Sequence, residues 1–226
     1  MICSVCNAAE FEEKFILWDG LCREWQIAPH ERSYIDRQQG TRCTSCGSNL
    51  RSIILAQAII KSFGYAGCLN DWVKTSEPQG MRILELNGAG RLTPVLSQLP
   101  GHIVRHYPDV DMHNLPYVDA SFDLVVHSDT LEHVSNPVHA LAECRRILGA
   151  GGVLAFTVPV IVERLTRGRD GLPPSYHGRA DTTAPDYRVF TEYGSDMWTH
   201  VIKAGFDSVT IHTLDYPAAS AMAAIR

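Results

Sequence analysis

Apolar positions in the second half of the chain fall in short continuous runs that are separated by helix-like segments. A continuous apolar run is typical of a strand buried on both faces of a parallel sheet. We predict strands over residues 81–86, 102–106, 122–127, 151–158, 208–214 and 218–225. We predict helices over residues 93–98, 137–148 and 194–204. This alternation predicts an α/β fold, with a mainly parallel sheet that is flanked by helices.

The first 52 residues follow a different pattern, because they are polar, loop-like and rich in cysteine. From Asn49 onward, apolar residues at helical spacing predict a helix that stops at Gly64. We therefore divide the chain into a small N-terminal subdomain, residues 1–52, and a main domain, residues 53–226. Residues 163–188 interrupt the main domain without a helix or strand pattern, and a loop of this length is typical of a functional lid.

Composition and charge narrow the class of protein. Hydrophobic residues make up 45% of the chain, so a core can form, yet no run reaches the roughly 18 apolar residues of a membrane span. The start of the chain lacks the basic and apolar regions of a signal peptide, so we expect a cytoplasmic protein. The formal net charge of −5 provides no general attraction for nucleic acid, and we expect no nucleic-acid or membrane partner.

Four of the seven cysteines form two CxxC pairs, Cys3 with Cys6 and Cys43 with Cys46. In a reducing compartment, paired cysteines indicate metal ligands rather than disulfides. Two such pairs provide the four thiolates of a structural, tetrahedral zinc site, so we predict a zinc ribbon with bound Zn²⁺. A redox-active dithiol is the alternative, and Cys22 or His30 could replace one of the ligands.

Residues 83–90 read ILELNGAG, an apolar strand followed by a Gly-x-Gly turn and a predicted helix. Glycine at such a turn lets the backbone approach a nucleotide closely, because no Cβ stands in the way. Turns of this kind are common in α/β proteins. The turn alone therefore leaves open both a nucleotide site and a purely structural role.

Three further segments follow the turn in order. Residues 111–126 read DMHNLPYVDASFDLVV, residues 127–134 read HSDTLEHV, and residues 145–154 read RRILGAGGVL. With the glycine turn, these segments resemble the class I S-adenosylmethionine-dependent methyltransferases (methyltransferase type 11-like), over residues 81–214. The resemblance implies a Rossmann-like fold and S-adenosyl-L-methionine as cofactor. Together with the cysteine pairs, it describes a methyltransferase domain with an N-terminal four-cysteine zinc ribbon.

The resemblance also implies roles for individual residues. It assigns Glu85 to the methionine ammonium, Asp111 to the adenine amino group, and Met112 to the adenine ring. The full cofactor-binding set that it implies is Glu85, Asn87, Gly88, Ala89, Gly90, Asp111, Met112, His127 and Ser128. A sulfonium is stabilised by nearby carboxylate and carbonyl dipoles, and an adenine needs an apolar slot with a donor–acceptor pair.

One position departs from the pattern of these enzymes, which usually place an acidic residue at the end of the second strand to bind the ribose. Here that position falls near Arg105 and His106, and neither is acidic. Either Asp109 reaches the ribose from the next turn, or cofactor binding is weakened, and with it catalysis.

The acceptor side offers two candidate catalytic histidines. His133 is the first candidate for a general base, because its motif places it beside the sulfonium. Its alternative role is to order the loop through hydrogen bonds. His177 follows Tyr176 in the long loop, where a substrate lid is expected, and the alternative there is a proline-rich loop pinned by an aromatic residue. The spacing of Asp129, Glu132 and His133 also resembles the divalent-metal set of ubiquinone-pathway O-methyltransferases.

These observations favour an S-adenosylmethionine-dependent methyltransferase that acts on a small-molecule acceptor, by O-methylation in a biosynthetic pathway. One alternative is an RNA methyltransferase that binds its substrate through the zinc head, although residues 1–52 contain no Lys/Arg cluster. Another is a zinc-ribbon interaction protein with weakened catalysis. The sequence does not define the acceptor or the oligomeric state.

Overall fold

The computed structural model describes residues 1–176 and 184–226. The strands are β1 (Phe11–Glu12), β2 (Arg42–Cys43), β3 (Ile83–Leu86), β4 (His102–Arg105), β5 (Phe122–Ser128), β6 (Leu148–Thr157), β7 (Val160–Ile161), β8 (Arg167–Gly168), β9 (Thr191–Gly194), β10 (Ser208–Leu214) and β11 (Ala219–Ile225). The α-helices are α1 (Asp19–Glu24), α2 (Pro29–Gly40), α3 (Leu50–Ser62), α4 (Leu69–Trp72), α5 (Thr93–Leu96), α6 (Pro137–Ile147) and α7 (Trp198–Lys203). Short 3-10 turns cover Glu77–Gly80, Gly90–Leu92, Leu131–His133 and Pro185–Tyr187.

Six strands form the main sheet in the order β10-β11-β6-β5-β3-β4. The pairs β4–β3, β3–β5 and β5–β6 are parallel, and β11 runs antiparallel to both β6 and β10. The chain moves from β3 outward to β4 and then returns to the other side of β3 for β5. In doubly wound sheets, this reversal opens a crevice beyond the carboxyl ends of the two central strands, where ligands bind. The predicted Rossmann-like α/β class is confirmed.

Helices cover both faces of the sheet, so that neighbouring residues of one strand enter different cores. Leu124 and Val126 of β5 join a core that contains α3, whereas Val125 joins the core that contains α6 and α7. This arrangement explains why the parallel strands are continuously apolar, since both of their faces are buried. In the described ranges, every helix is too short or too polar to cross a lipid bilayer.

Local sequence sets the ends of the two longest sheet-covering helices. The side chain of Asn49 caps α3 by accepting the Ser52 N–H at 3.0 Å, and Gly64 (φ +69°) follows the helix in the left-handed region. Asn136 caps α6 in the same way by accepting the His139 N–H at 3.2 Å, with Pro137 in the first turn.

The prediction of a loop-like N-terminal segment is wrong for residues 29–40, which form α2. The inward positions of this helix include Glu31, Asp36 and Gln38, each about 5% exposed or less. Because the buried side is polar, hydrophobic periodicity does not reveal the helix. The buried Asp36 accepts the N–H groups of Ile16 and Leu17, each at 2.7 Å, and so holds the preceding loop.

Residues 163–188 also contain structure that their sequence pattern does not show. Strand β8 pairs with β9, which in turn pairs with β7 in a small separate sheet. Arg167 and Arg169 bind Glu192 of β9. The predicted helix over 194–204 is shorter, because β9 extends to Gly194 and α7 begins only at Trp198. Two-residue strands pairing through charged side chains have no apolar alternation to detect.

The N-terminal head, residues 1–52, packs directly onto the sheet core. Cys3, Val5 and Cys43 are buried in the same cluster as residues of α3 and the main sheet. The N–H groups of Leu69 and Asn70 donate to the carbonyls of Ser4 and Val5 at 2.8 and 3.0 Å. The proposed boundary between residues 52 and 53 stays a prediction, and it falls within α3.

Candidate functional site

The glycine turn leaves the carboxyl end of β3 in an unusual backbone conformation. Asn87, Gly88 and Gly90 have φ angles of +60°, +82° and +59°. A Cβ on Gly88 would require the strained left-handed region, and its nearest neighbours would lie 3.8–3.9 Å away. The side-chain oxygen of Asn87 accepts the Tyr107 N–H at 2.8 Å and so joins the turn to the segment after β4.

Glu85 lies beneath the turn, fully buried, and holds it in place. Its carboxylate accepts the Ala89 N–H at 2.5 Å, lies 2.8 Å from His102 Nε2, and accepts the Thr93 hydroxyl. Burial opposes ionisation, but these hydrogen bonds keep the pKa of Glu85 below its usual value. Both oxygens of the carboxylate are therefore already hydrogen-bonded within the protein. The predicted contact of Glu85 with a methionine ammonium stays a prediction.

A cleft of about 590 Å³ lies beyond the carboxyl ends of β3 and β5, where the sheet topology predicts a ligand site. Its walls come from the turn after β3, the segment after β4, the segment after β5 and residues 186–190. They are lined by Asn87, Tyr107, Val110, Asp111, Met112, His113, Ser128, Asp129, Thr130, His133, Val134, Ser135, Asp186, Tyr187, Arg188 and Phe190. Of the predicted cofactor residues, this cleft brings together Asn87, Asp111, Met112 and Ser128.

Among the described residues, the carboxylate of Asp111 accepts hydrogen bonds on one of its two oxygens. Oδ1 accepts the His113 N–H at 2.8 Å and lies 2.7 Å from His113 Nδ1. These bonds outweigh the effect of burial and keep the pKa of Asp111 below its usual value, so it is ionised near neutral pH. Met112, which is 4% exposed, lies next to it on the cleft wall.

His127 lies behind the cleft wall rather than on it. Its side chain is fully buried and stacks on Phe156 with ring centroids 4.7 Å apart, and neither ring nitrogen has a hydrogen-bond partner among the described residues. Burial lowers its pKa to about 3, so the ring is neutral. Its predicted place beside the sulfonium stays a prediction. Gly88, Ala89 and Gly90 also lie outside the cleft lining.

His133 lies on the cleft wall at the 3-10 turn after β5. Its Nδ1 lies 2.9 Å from the Arg188 carbonyl oxygen, which can only accept, so Nδ1 carries a proton. Burial lowers the pKa of His133, which keeps the ring neutral at pH 7 and leaves a lone pair on Nε2. Nε2 lies 3.6 Å from the carboxyl of Glu132. A neutral imidazole in this tautomer can accept a proton.

Asp129, Glu132 and His133 do not bring their side-chain ligand atoms together into a group that could hold a metal ion. The carboxylate of Asp129 binds the guanidinium of Arg51 and accepts from Gln39 and Thr157, at 3.3 and 3.1 Å. Burial raises the pKa of Glu132 to about 8, so its carboxyl is protonated at neutral pH. In the parts of the chain that the structure describes, the four cysteines are the group that could hold a metal ion.

Arg51 is a site residue that the sequence motifs do not identify. Its side chain is 22% exposed and pairs with Asp129 across the junction between the head and the sheet. Its position just after the second CxxC pair is the available sequence signal. Because Asp129 lines the cleft, the head helps to fix one wall of the site.

The four cysteine sulfurs lie within 4.8 Å of one another, and the Sγ–Sγ distances of Cys3–Cys46 and Cys6–Cys43 are 3.6 Å. Four Zn–S bonds of about 2.3 Å in a tetrahedron place sulfurs roughly 3.8 Å apart, so the arrangement fits a zinc ion. Backbone N–H groups donate to Cys3, Cys6 and Cys46 sulfurs, and Gly47 turns the second pair in the left-handed region (φ +71°).

The side of the cleft next to β4 contains the departure that the sequence shows. Strand β4 ends at Arg105, and Tyr107 lines the cleft beside Asn87. Asp109 is exposed and does not line the cleft, so its contact with a ribose stays a prediction. The second catalytic candidate, His177, lies outside the described residues, whereas Tyr176 pairs with Arg188 at the edge of the cleft.

Comparison with protein families and with known proteins finds similarity to methyltransferases. Residues 88–156 match the family described as "Methyltransferase domain". A "probable S-adenosylmethionine-dependent methyltransferase" of Mycolicibacterium smegmatis is 35% identical over 85 residues, which are 34% of this chain and 32% of that protein. An uncharacterised protein of a Streptomyces fradiae transposon is 45% identical over 49 residues, 22% of this chain and 14% of that protein. The chain thus covers a third or less of the length of these relatives.

Two of the solved structures to which this chain is similar are S-adenosylmethionine-dependent methyltransferases. The protein from Aquifex aeolicus has 15% identity and a TM-score of 0.45, and the one from Thermotoga maritima has 19% and 0.43. Each comparison covers 77% of this chain and 89% of the other. Residues 88–156 therefore resemble a methyltransferase domain, and they lie in a sheet with the order and reversal of a Rossmann-like α/β fold.

Proposed function

We propose that the protein transfers a methyl group from S-adenosyl-L-methionine to a small-molecule acceptor. The observation that carries the proposal is the cleft at the reversal of the sheet, bounded by the left-handed turn at Asn87 and by an ionised Asp111 whose hydrogen bonds from the described residues fall on one oxygen. The cofactor supplies an electrophilic methyl group on a sulfonium. The turn leaves room for the amino-acid part, and Asp111 can accept a hydrogen bond from the adenine amino group.

The protein's own residues position the acceptor and accept the proton that it loses. Methyl transfer is an in-line displacement, so rate depends on positioning and on removal of any proton from the nucleophile. Neutral His133 can accept that proton at Nε2 while its Nδ1–H remains bonded to Arg188. An acceptor hydroxyl needs such a base, which supports O-methylation. The size of the cleft is in the range of small-molecule sites and supports a small acceptor over RNA.

We also propose that Cys3, Cys6, Cys43 and Cys46 hold a structural Zn²⁺. The burial of Cys3 and Cys43, together with the tetrahedral sulfur spacing, supports this assignment. Without a cation, burial raises the pKa of Cys6 to about 11, and a bound zinc ion would keep the thiolates ionised.

Asp111→Ala should weaken the binding of S-adenosylhomocysteine, because the adenine loses its charged hydrogen-bond acceptor. A hydrogen bond to a charged group contributes about 1.5–3 kcal/mol, so the Kd should rise roughly 10- to 100-fold. Isothermal titration calorimetry measures the change. Asp119→Ala is the matched control, since Asp119 is an exposed acid in the same segment and does not line the cleft. An unchanged Kd in Asp111→Ala would refute the assignment of Asp111.

His133→Phe should lower kcat by roughly 100-fold or more, the usual contribution of a general base, while the Kd for S-adenosylhomocysteine changes little. The assay is the transfer of tritiated methyl from S-adenosylmethionine to a panel of phenols, catechols and sugars. In the wild type, kcat should fall as the pH drops through the lowered pKa of His133, because the protonated ring cannot accept a proton. Equal kcat values in both proteins would remove His133 from the mechanism.

A further inference from the structure

The ring of His113 lies between the cleft residue Asp111 and the start of α6. On one side, its Nδ1 is 2.7 Å from Asp111 Oδ1, and on the other, its Nε2 is 3.2 Å from the backbone nitrogen of Asn136. The hydroxyl of Ser135 is 3.4 Å from the same Nε2. His113 therefore bridges the cleft wall and a helix that is itself packed on the sheet.

These contacts define the protonation of the ring. A backbone N–H can only donate, so Nε2 of His113 must accept the bond from Asn136 and carries no proton. The remaining proton of the neutral ring is on Nδ1, which donates to Asp111 Oδ1. The backbone N–H of His113 donates to the same oxygen. In the described part of the chain, both bonds fall on Oδ1 and neither on Oδ2.

The first turn of α6 also fixes the position of the ring. His139 Nε2 is 2.9 Å from the carbonyl oxygen of His113, and the two rings stack with centroids 6.3 Å apart. Asn136, whose N–H bonds to the ring, is the capping residue of α6. The orientation of Asp111 is thus tied to the end of a helix rather than to its own exposed loop.

We propose that His113 is a positioning residue that orients the free oxygen of Asp111 toward the adenine amino group. The inference rests on the proposed function, because it assumes that the cleft binds an adenine. A fixed carboxylate accepts from the 6-amino group but faces a like partner in the 6-oxo group of hypoxanthine, so it selects the amino base. His113 would thereby set the preference of the site for adenine over 6-oxopurines.

The test measures the ratio of the Kd for S-inosylhomocysteine to the Kd for S-adenosylhomocysteine by calorimetry. We expect a ratio of roughly tenfold or more in the wild type, falling toward unity in His113→Phe, which cannot donate to Asp111. His113→Asn retains a short side-chain donor and should restore most of the ratio. His212→Phe is the matched control, since it changes a histidine of β10, at the opposite edge of the sheet from β4 and outside the cleft lining, and it should keep the ratio.

The tautomer provides a readout that does not depend on any ligand. Nitrogen-15 NMR of the free protein should show His113 protonated on Nδ1 and not on Nε2. The opposite tautomer, or a ratio in His113→Phe equal to that of the wild type, would overturn the inference while the proposed function stands. If the wild type fails to bind S-adenosylhomocysteine, the proposed function fails and the inference fails with it.

Discussion

Cys43→Ser is expected to lower the free energy of unfolding by more than about 3 kcal/mol and to abolish zinc binding. The apparent binding free energy of a structural zinc site is on the order of 10 kcal/mol, and much of it is lost with one ligand. The loss should spread beyond the head, because Cys3 and Cys43 belong to the same core cluster as α3 and the main sheet. Urea unfolding with and without a chelator, together with metal analysis, measures both effects.

Cys22→Ser is the matched control for this prediction, since Cys22 is in the head but outside the sulfur cluster. It should retain the metal and most of the stability. If Cys43→Ser and Cys22→Ser have equal stability and the purified wild type holds no metal, the zinc assignment is wrong.

The second large effect is expected from Arg51→Met, which leaves the carboxylate of Asp129 without its cation. Removing one partner of a largely buried ion pair costs about 3–5 kcal/mol, because the remaining charge stays desolvated. Asp129 is 15% exposed and retains hydrogen bonds from Gln39 and Thr157, so we expect the lower end of this range. Thermal or urea unfolding measures the loss.

Arg82→Met serves as the comparison, because Arg82 also pairs with an aspartate, Asp123, but on the surface. Exposed pairs contribute about 0–1 kcal/mol. In Arg51→Met, a second change of Asp129→Asn should recover part of the stability, since the uncompensated charge is removed. An Arg51→Met variant as stable as Arg82→Met would mean that the head and the cleft are not coupled through this pair.

Much of the fold could be predicted from the sequence, because a strand that is buried on both faces is a continuous apolar run. The parallel strands β3, β5 and β6 are continuous apolar runs, and the structure confirms them with small shifts of their ends. Helix α2 has no such apolar pattern, because several of its inward side chains are polar. These side chains form hydrogen bonds and ion pairs with residues that are distant in sequence. Asp36 binds residues 16 and 17, and Glu31 binds Arg164.

The candidate site also contains some residues that local sequence predicts and others whose roles depend on contacts in the folded chain. The glycine turn, Asp111, Ser128 and His133 are local motifs, so their grouping at one sheet edge could be expected from sequence. The pairing of Arg51 with Asp129 joins two elements that only the folded chain brings together. The hydrogen bonds of the Glu85 carboxylate with Ala89, Thr93 and His102 likewise depend on the folded structure. The burial of His127 behind the cleft does so too.

The most direct test of the central claim is the calorimetric titration of the zinc-loaded wild type with S-adenosylhomocysteine. The cleft geometry predicts binding of one molecule per chain, and Asp111→Ala in the same experiment should bind more weakly. The absence of any binding heat up to high micromolar ligand, confirmed by unchanged thermal stability, would contradict the claim that this cleft serves a methyltransferase.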